Sequence, residues 1–193
     1  PATIAEIQGT GTNSPLVDET VVTTGVVTAT YPAGTGQRAG YVIQTAGTGG
    51  TLGERTSSDA VFVYSPSTTA SVEIGDNVTV TGEVSEFNGL TELTVTGAGD
   101  LEVLDTTETV TPLTGAWPAT ASAREAIESM LLLPTGDMTV SNTYSTNQYG
   151  EVGLAVGDEP LLQWTEVATR RTPKRSSWSR TTTSPAASCS TTP

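Results

Sequence analysis

Val, Thr and Ile gather along the chain in short stretches where apolar positions recur every second residue or run together in blocks of three to five. β-branched side chains suit a pleated, half-buried surface, so these stretches predict strands. Residues 17–30 read as a long first strand, and Gly25 inside it marks a bulge or a bend, as a strand curling round a small barrel requires. Tyr41-Val42-Ile43-Gln44 reads as a short second strand and Ala60-Val61-Phe62-Val63-Tyr64 as a third. A Gly/Thr/Ser loop over 46–58 separates them, and Ser65-Pro66-Ser67 ends the third.

The clearest local signal lies over 78–95. Asn88-Gly89 sits between two alternating runs, the strongest short-range cue for a hairpin. A two-residue turn there pairs Phe87 with Leu90, Glu86 with Thr91, Ser85 with Glu92 and Val84 with Leu93, and sets Gly82 opposite Val95. That register puts Val84, Leu93 and Val95 on one face, with Val78 and Val80 in phase, and Glu83, Ser85, Glu92 and Thr94 on the other. The preceding Val72-Glu73-Ile74-Gly75-Asp76 reads as a tight turn. Five strands, the first long and bent and the last two a hairpin, predict a mainly β protein built on a small OB-fold-like barrel over 1–112. An immunoglobulin-like sandwich is the rival, but it expects about seven evenly spaced strands.

Beyond Pro112 the texture changes. Residues 121–130 are the one good helix candidate, with Ser122 as cap, Glu125 three residues later, and an apolar stripe of Ala126, Ile127 and Met130. Residues 138–144, 151–156 and 161–167 read as further strands. The stretch 113–169 is too short for a large core of its own, so it is expected to pack on the barrel or to begin a second, partial one.

Composition narrows the chemistry. The chain of 193 residues has no His and one Cys. That removes Ser-His and Cys-His nucleophile pairs, His-bearing metal centres, internal disulfides and Cys-rich metal sites. No apolar run approaches the roughly 20 residues of a membrane-spanning helix. All 21 acidic residues and only three cations, Arg38, Arg55 and Arg124, fall within 1–169, giving that body a charge of −18, whereas 170–193 carry +5. An acidic, Thr/Gly/Val-rich body with few Lys suits a secreted bacterial domain and is poorly equipped to grip a phosphate backbone. The chain begins at Pro1 without an export signal, so the start reads as processed or truncated. Residues 170–193, basic and rich in Ser, Thr and Pro, read as a disordered tail. A frameshift near Thr169 would also account for the charge reversal, since a second reading frame can be written as an acidic, Val-rich continuation; stops in that frame of the underlying DNA would exclude it.

Four segments together resemble a known group: Ile4-Ala5-Glu6-Ile7-Gln8-Gly9-Thr10-Gly11 with Ser14-Pro15-Leu16; Gly25-Val26-Val27-Thr28-Ala29; the 17-residue run from Gly75 to Thr91; and Tyr149-Gly150-Glu151-Val152. Over about residues 3–168 the chain is similar to the OB-fold-like amino-terminal region of large secreted bacterial endonucleases of the ExeM/NucH type and their YhcR-like relatives. The resemblance implies an extracellular protein and a downstream catalytic domain of the endonuclease/exonuclease/phosphatase type, supplied in cis and using a divalent metal, Mg²⁺ or Ca²⁺. Such a catalytic domain needs His beside Asp, Asn and Glu, and this chain contains none, so no catalytic residue transfers to it. The expectation is a monomeric, non-catalytic accessory domain, without cofactor of its own, that helps present single-stranded or duplex DNA.

OB-folds bind single strands on the face of their second and third strands, with aromatics for stacking and a basic groove for phosphates. The matching residues here are Tyr41, Phe62 and Tyr64, with Arg38 and Arg55 in the flanking loops. The bland reading is that Phe62 and one Tyr are core and both Arg are solvated. Binding, if any, is expected to be weak and steeply salt-dependent. The acids Asp100, Glu102 and Asp105, and the pair Asp158 and Glu159, lack the spacing of a calcium loop and read as solvated. Glu83 and Glu92 are expected on the exposed outer face of the hairpin, where no burial would fit them for glycoside chemistry. Asn77-Val78-Thr79 matches a glycosylation sequon, and Gly9-Thr10-Gly11 lacks the spacing of a phosphate loop. Two other roles compete with nucleic-acid presentation: a ligand-free spacer or surface-adhesion module, and a carbohydrate-binding β domain in which Tyr residues and Trp117 stack on sugars. Trp117, just before Pro118, reads as a packing residue.

Overall fold

The computed structural model describes residues 1–32, 34 and 38–162. The expected strand over 161–167 and the basic tail lie outside them, apart from Leu161 and Leu162. Pro1–Pro160 form one compact unit.

The sheet is a barrel closed on itself. Strands β1 (Thr20–Tyr31), β2 (Gly40–Gln44), β4 (Ala60–Tyr64), β5 (Asn77–Phe87) and β6 (Leu90–Thr94) hydrogen-bond in the ring order β1-β2-β4-β6-β5 and back to β1. All contacts in the ring are antiparallel except β4–β6, which run parallel with Phe62 beside Glu92. This is the five-stranded Greek-key arrangement of an OB-fold-like barrel. The long β1 serves two neighbours, pairing with β5 through Thr20–Val26 and with β2 from Val26 to Tyr31. At the handover a side chain on Gly25 would sit 3.1 Å from the Gln44 carbonyl and Ile43 Cβ, which explains the glycine. The bulge itself falls three residues later, at Thr28. The β5–β6 hairpin turns on Asn88-Gly89, both at positive φ, and keeps the register read from the sequence from Val84↔Leu93 to Phe87↔Leu90. Strand β7 (Leu101–Leu104) adds to the outside of β5.

Inward-facing Tyr41, Ile43, Val61, Val63, Val78, Val80, Val84 and Leu93 fill the barrel. The short helix α1 (Ile4–Gln8), which the strand pattern does not anticipate, contributes Ile4 and Ile7 to the same core. Each burial is worth about 1.5–3 kcal/mol. Five residues are too few for a helix to persist alone, so its cap matters. Thr3 Oγ1 accepts from the Glu6 amide, and Glu6 Oε2 accepts from the Thr3 amide at 2.8 Å. The Thr3 amide and hydroxyl, both donating to Glu6 Oε2, hold that carboxyl below its usual range. Thr3→Ala is expected to cost about 1 kcal/mol and lower Tm by about 2–4 °C; an unchanged thermal transition would show that packing alone holds α1.

A second apolar layer covers the outer side of β2 and β4. Strands β3 (Gly50–Thr51), β8 (Leu113–Gly115) and β9 (Leu132–Pro134) form a small parallel sheet, and Leu113, Ile127 and Met130 bury against Val42, Ala60 and Phe62. The helix read over 121–130 is shorter: α2 spans Ala121–Glu125, capped by Thr120 rather than Ser122. Residues 126–129 continue as turns, with Ser129 at φ 59°, and a residue in that left-handed region cannot continue a helix. Beyond them, β10 (Met138–Asn142), α3 (Thr146–Tyr149) and β11 (Gly153–Val156) complete the unit, with β10 and β11 paired as a separate hairpin. No helix among the described residues is long and apolar enough to cross a membrane.

Candidate functional site

A cleft of about 620 Å³ opens on the outer side of β2 and β4, between the β1–β2 loop, the β5–β6 turn and residues 129–132. The size is that of a small-molecule or single-residue subsite. In OB-folds this is the side on which ligands bind, between the loop joining the first two strands and the turn joining the last two. Tyr31, Phe87 and Tyr149 line it together with Phe62, which is only 8% exposed and belongs to the buried second layer, as the bland reading expected, and Met130 and Leu132 line it from the covering segment. Tyr31 meets Phe62 edge-on at 5.8 Å between ring centres. Burial raises the Tyr31 hydroxyl above its ordinary pKa, and the Glu151 carboxylate raises it further, so the phenol stays a neutral donor.

Arg38 organises the site. Its guanidinium lies 3.6 Å from the ring centre of Phe87, 4.6 Å from Tyr64 and 5.9 Å from Phe62. Its Nη2 donates to Glu92 Oε2, and the Arg38 amide donates to the carbonyl of Gln148 in the last turn of α3. The Arg38 and Glu92 side chains are only 17% and 5% exposed. Such a pair ties the β1–β2 loop to the barrel, and it also cancels the charge that a phosphate would need. Arg38 Nε is buried without a partner and remains a free donor.

Three of the residues singled out from sequence therefore meet in one place: Arg38, Phe62 and Tyr64. The other two do not. Tyr41 is fully buried inside the barrel, with its hydroxyl near Thr68 and its pKa raised by burial, so no base can stack on it. The physical reason is strand parity, because Tyr41 and Ile43 point inward while Val42 packs in the outer layer and Gln44 reaches the Leu131 amide there. Arg55 forms an ion pair with Asp59 in the loop before β4, whereas Arg38 sits near the other end of that strand. Glu92 is not on a solvated face: the parallel partner β4 and Arg38 bury it, while Glu83 stays exposed. Trp117 is 39% exposed and does not line the cleft, so it is not a packed core residue. Asn77 is buried, with its Nδ2 bonded to Thr106, which closes the sequon to modification in the folded chain.

Sequence reasoning passed over Tyr31, Phe87, Glu128 and Gln44. Phe87 was legible only as the residue before the Asn-Gly turn, and it lines the cleft there. Gln44, fully buried, accepts from the Leu131 amide through Oε1 at 2.9 Å and so holds the covering segment. Ser58 Oγ donates to the Glu128 carbonyl at 2.6 Å, and the Thr91 amide donates to Glu128 Oε1 at 3.1 Å. Burial raises the Glu128 carboxyl to about 7, with Glu125 and Glu86 adding to the rise and the bond from Thr91 opposing it. Among the described residues, no group of three or more acidic or Cys side chains is arranged to hold a metal ion.

No protein-family model matches the chain, and neither does any curated protein.

Proposed function

We propose that this chain is a non-catalytic accessory domain of an exported bacterial endonuclease and that its OB-side cleft takes an exposed base of a nucleic-acid strand. The observation that carries the binding part is the placement of Tyr31, Phe62 and Phe87 between the β1–β2 loop and the β5–β6 turn of an OB-fold-like barrel. The absence of His from the sequence supports a non-catalytic role, and the resemblance of the four segments supports the nuclease context. Hydrolysis then belongs to a metal-dependent catalytic domain elsewhere in the parent protein.

The Arg38–Glu92 pair changes the expected form of binding. With its cation already compensated, the site offers base faces rather than phosphates a place to rest. Affinity for a labelled oligo-dT is expected to be weak and its salt dependence shallow, no steeper than the slope of about −0.7 for one phosphate contact on a single strand. Stacking is worth about 1–3 kcal/mol per base, so Phe87→Ala should weaken binding by about tenfold or more, while Glu83→Ala should leave it unchanged. Fluorescence anisotropy at low salt reads both. No binding at high micromolar protein, or binding indifferent to Phe87→Ala, overturns the reading, and metal-dependent cleavage by the pure chain overturns its non-catalytic part. The same charge cancellation favours one second reading, a neutral saccharide on the same aromatic surface. A glycan screen that yields a Phe87-dependent ligand where oligonucleotides yield none would select it.

A further inference from the structure

We propose that Glu151 selects the base that enters the cleft, and that the cleft takes guanine ahead of the other bases because its wall presents a carboxylate to two adjacent N–H donors. This rests on the reading of the cleft as a base site and adds which base it takes. Stacking alone cannot choose, since every base has a π-face. The choice falls to the polar groups beside the aromatic surface. Glu151 is the one acid among the described residues that line the cleft.

A short turn sets Glu151 in place. Helix α3 ends at Gly150, whose φ of 70° lies in the left-handed region that favours glycine. The Gly150 amide donates to the Thr146 carbonyl at 3.0 Å, and Thr146 Oγ1 donates to the Glu151 carbonyl at 2.7 Å, so the backbone is held on both sides of the turn. A Cβ on Gly150 would sit 3.0 Å from the Tyr31 ring, so the turn lies against that ring. The bond from the Arg38 amide to the Gln148 carbonyl joins the same turn to the β1–β2 loop. Tyr149 and Glu151, on either side of Gly150 in the chain, both line the cleft, and the charge of Glu151 reaches the Tyr31 hydroxyl.

Among the described residues no arginine pairs with that carboxylate. Arg38 pairs with Glu92, Arg55 pairs with Asp59, and Arg124 donates to the carbonyls of Pro118 and Ala119. An ionised carboxylate only accepts hydrogen bonds, through two oxygens. The bases differ in what they offer it. Guanine sets its N1–H beside its 2-amino group, two donors that match the two oxygens, and bonds to a charged acceptor are the strong ones. Adenine and cytosine place an acceptor nitrogen next to their amino group, and thymine flanks its N3–H with two carbonyls. Each of these three turns an acceptor toward the carboxylate.

The test is fluorescence anisotropy at low salt on the full chain, with a labelled oligo-dT and with the same oligomer carrying one guanine, inosine or adenine at its centre. The guanine oligomer is expected to bind about tenfold more tightly than oligo-dT, the discrimination that a two-point contact to one base gives. Inosine, which keeps N1–H and lacks the amino group, should fall between them, and adenine should gain little. Glu151→Gln puts an amide donor where one acceptor stood. It should bring the guanine oligomer down to the level of oligo-dT and leave oligo-dT bound as before. Glu159→Gln removes an acid outside the cleft lining and should keep the guanine preference. Oligo-dT binding that depends on Phe87 but gains nothing from guanine overturns the selection and leaves the base site standing. A guanine preference that survives Glu151→Gln, or an equal loss of both oligomers in that variant, overturns Glu151 as its source. If no oligomer binds, the base site and the selection fall together.

Discussion

Replacing Arg38 with alanine is expected to destabilise the folded unit by about 3–5 kcal/mol, the cost of leaving a buried carboxylate without its partner. Glu92 is 4% exposed, and its carboxylate is the acceptor that Arg38 Nη2 reaches. The guanidinium also lies against Phe87, Tyr64 and Phe62, so its loss removes the contacts that hold the hairpin tip over the β1–β2 loop. For a unit of this size the fall in Tm is about 10 °C, read by circular dichroism or calorimetry. Glu92→Leu combined with Arg38→Met should recover most of the loss, because a well-packed apolar pair often replaces a buried ion pair without penalty. The recovered protein should still fail to order the Phe87 ring, which a ring-flip or side-chain NMR measurement would reveal. If Arg38→Ala melts within a degree or two of the parent, the pair is a solvated contact and the Arg38 cation is not compensated by Glu92.

The double-sided burial of β2 and β4 explains what the sequence did and did not make legible. Along Gly40–Gln44 every residue is buried, and along Ala60–Tyr64 every residue but the last. Alternation separates a wet face from a dry one, and these strands have no wet face: the barrel core takes Tyr41, Ile43, Val61 and Val63, and the second layer takes Val42 and Phe62. The strands themselves were therefore easy to see, while the direction of Tyr41 was not. The β5–β6 hairpin shows the opposite case. Its register was readable from Asn88-Gly89 and from a clean division of apolar and polar faces. What that division could not show is that β6 lies parallel to β4, a pairing set by a distant segment, which turns Glu92 from a solvated acid into the buried partner of Arg38. Local chemistry marks a turn or a cap, as Thr3 and Glu6 do for α1. Long-range closure decides which polar residues are dry.

Gly40→Ala is the companion test on the glycine at the start of β2, with an expected cost of about 2–3 kcal/mol from overpacking. A Cβ there would sit 2.3 Å from the Val63 carbonyl oxygen and 2.5 Å from Phe62 Cζ. Neither neighbour is free to yield. The Val63 carbonyl belongs to a strand paired residue for residue with β2, and the Phe62 ring is held between Tyr31 and the Arg38 guanidinium. The φ of Gly40 lies outside the left-handed region, so backbone freedom is not what the glycine supplies; close approach of the ring and the neighbouring strand is. Forcing in a methyl pushes the Phe62 ring toward the cleft and pries β2 from β4, so the same substitution should lower Tm and weaken any ligand that rests on Phe62. Adding Phe62→Leu separates the two contacts: it relieves the ring but leaves the carbonyl, and Tm should return only part of the way. Full recovery would assign the whole cost to the ring, and no loss in Gly40→Ala itself would show that β2 and β4 part readily at this end, which would leave the cleft without the rigid floor that the binding proposal requires.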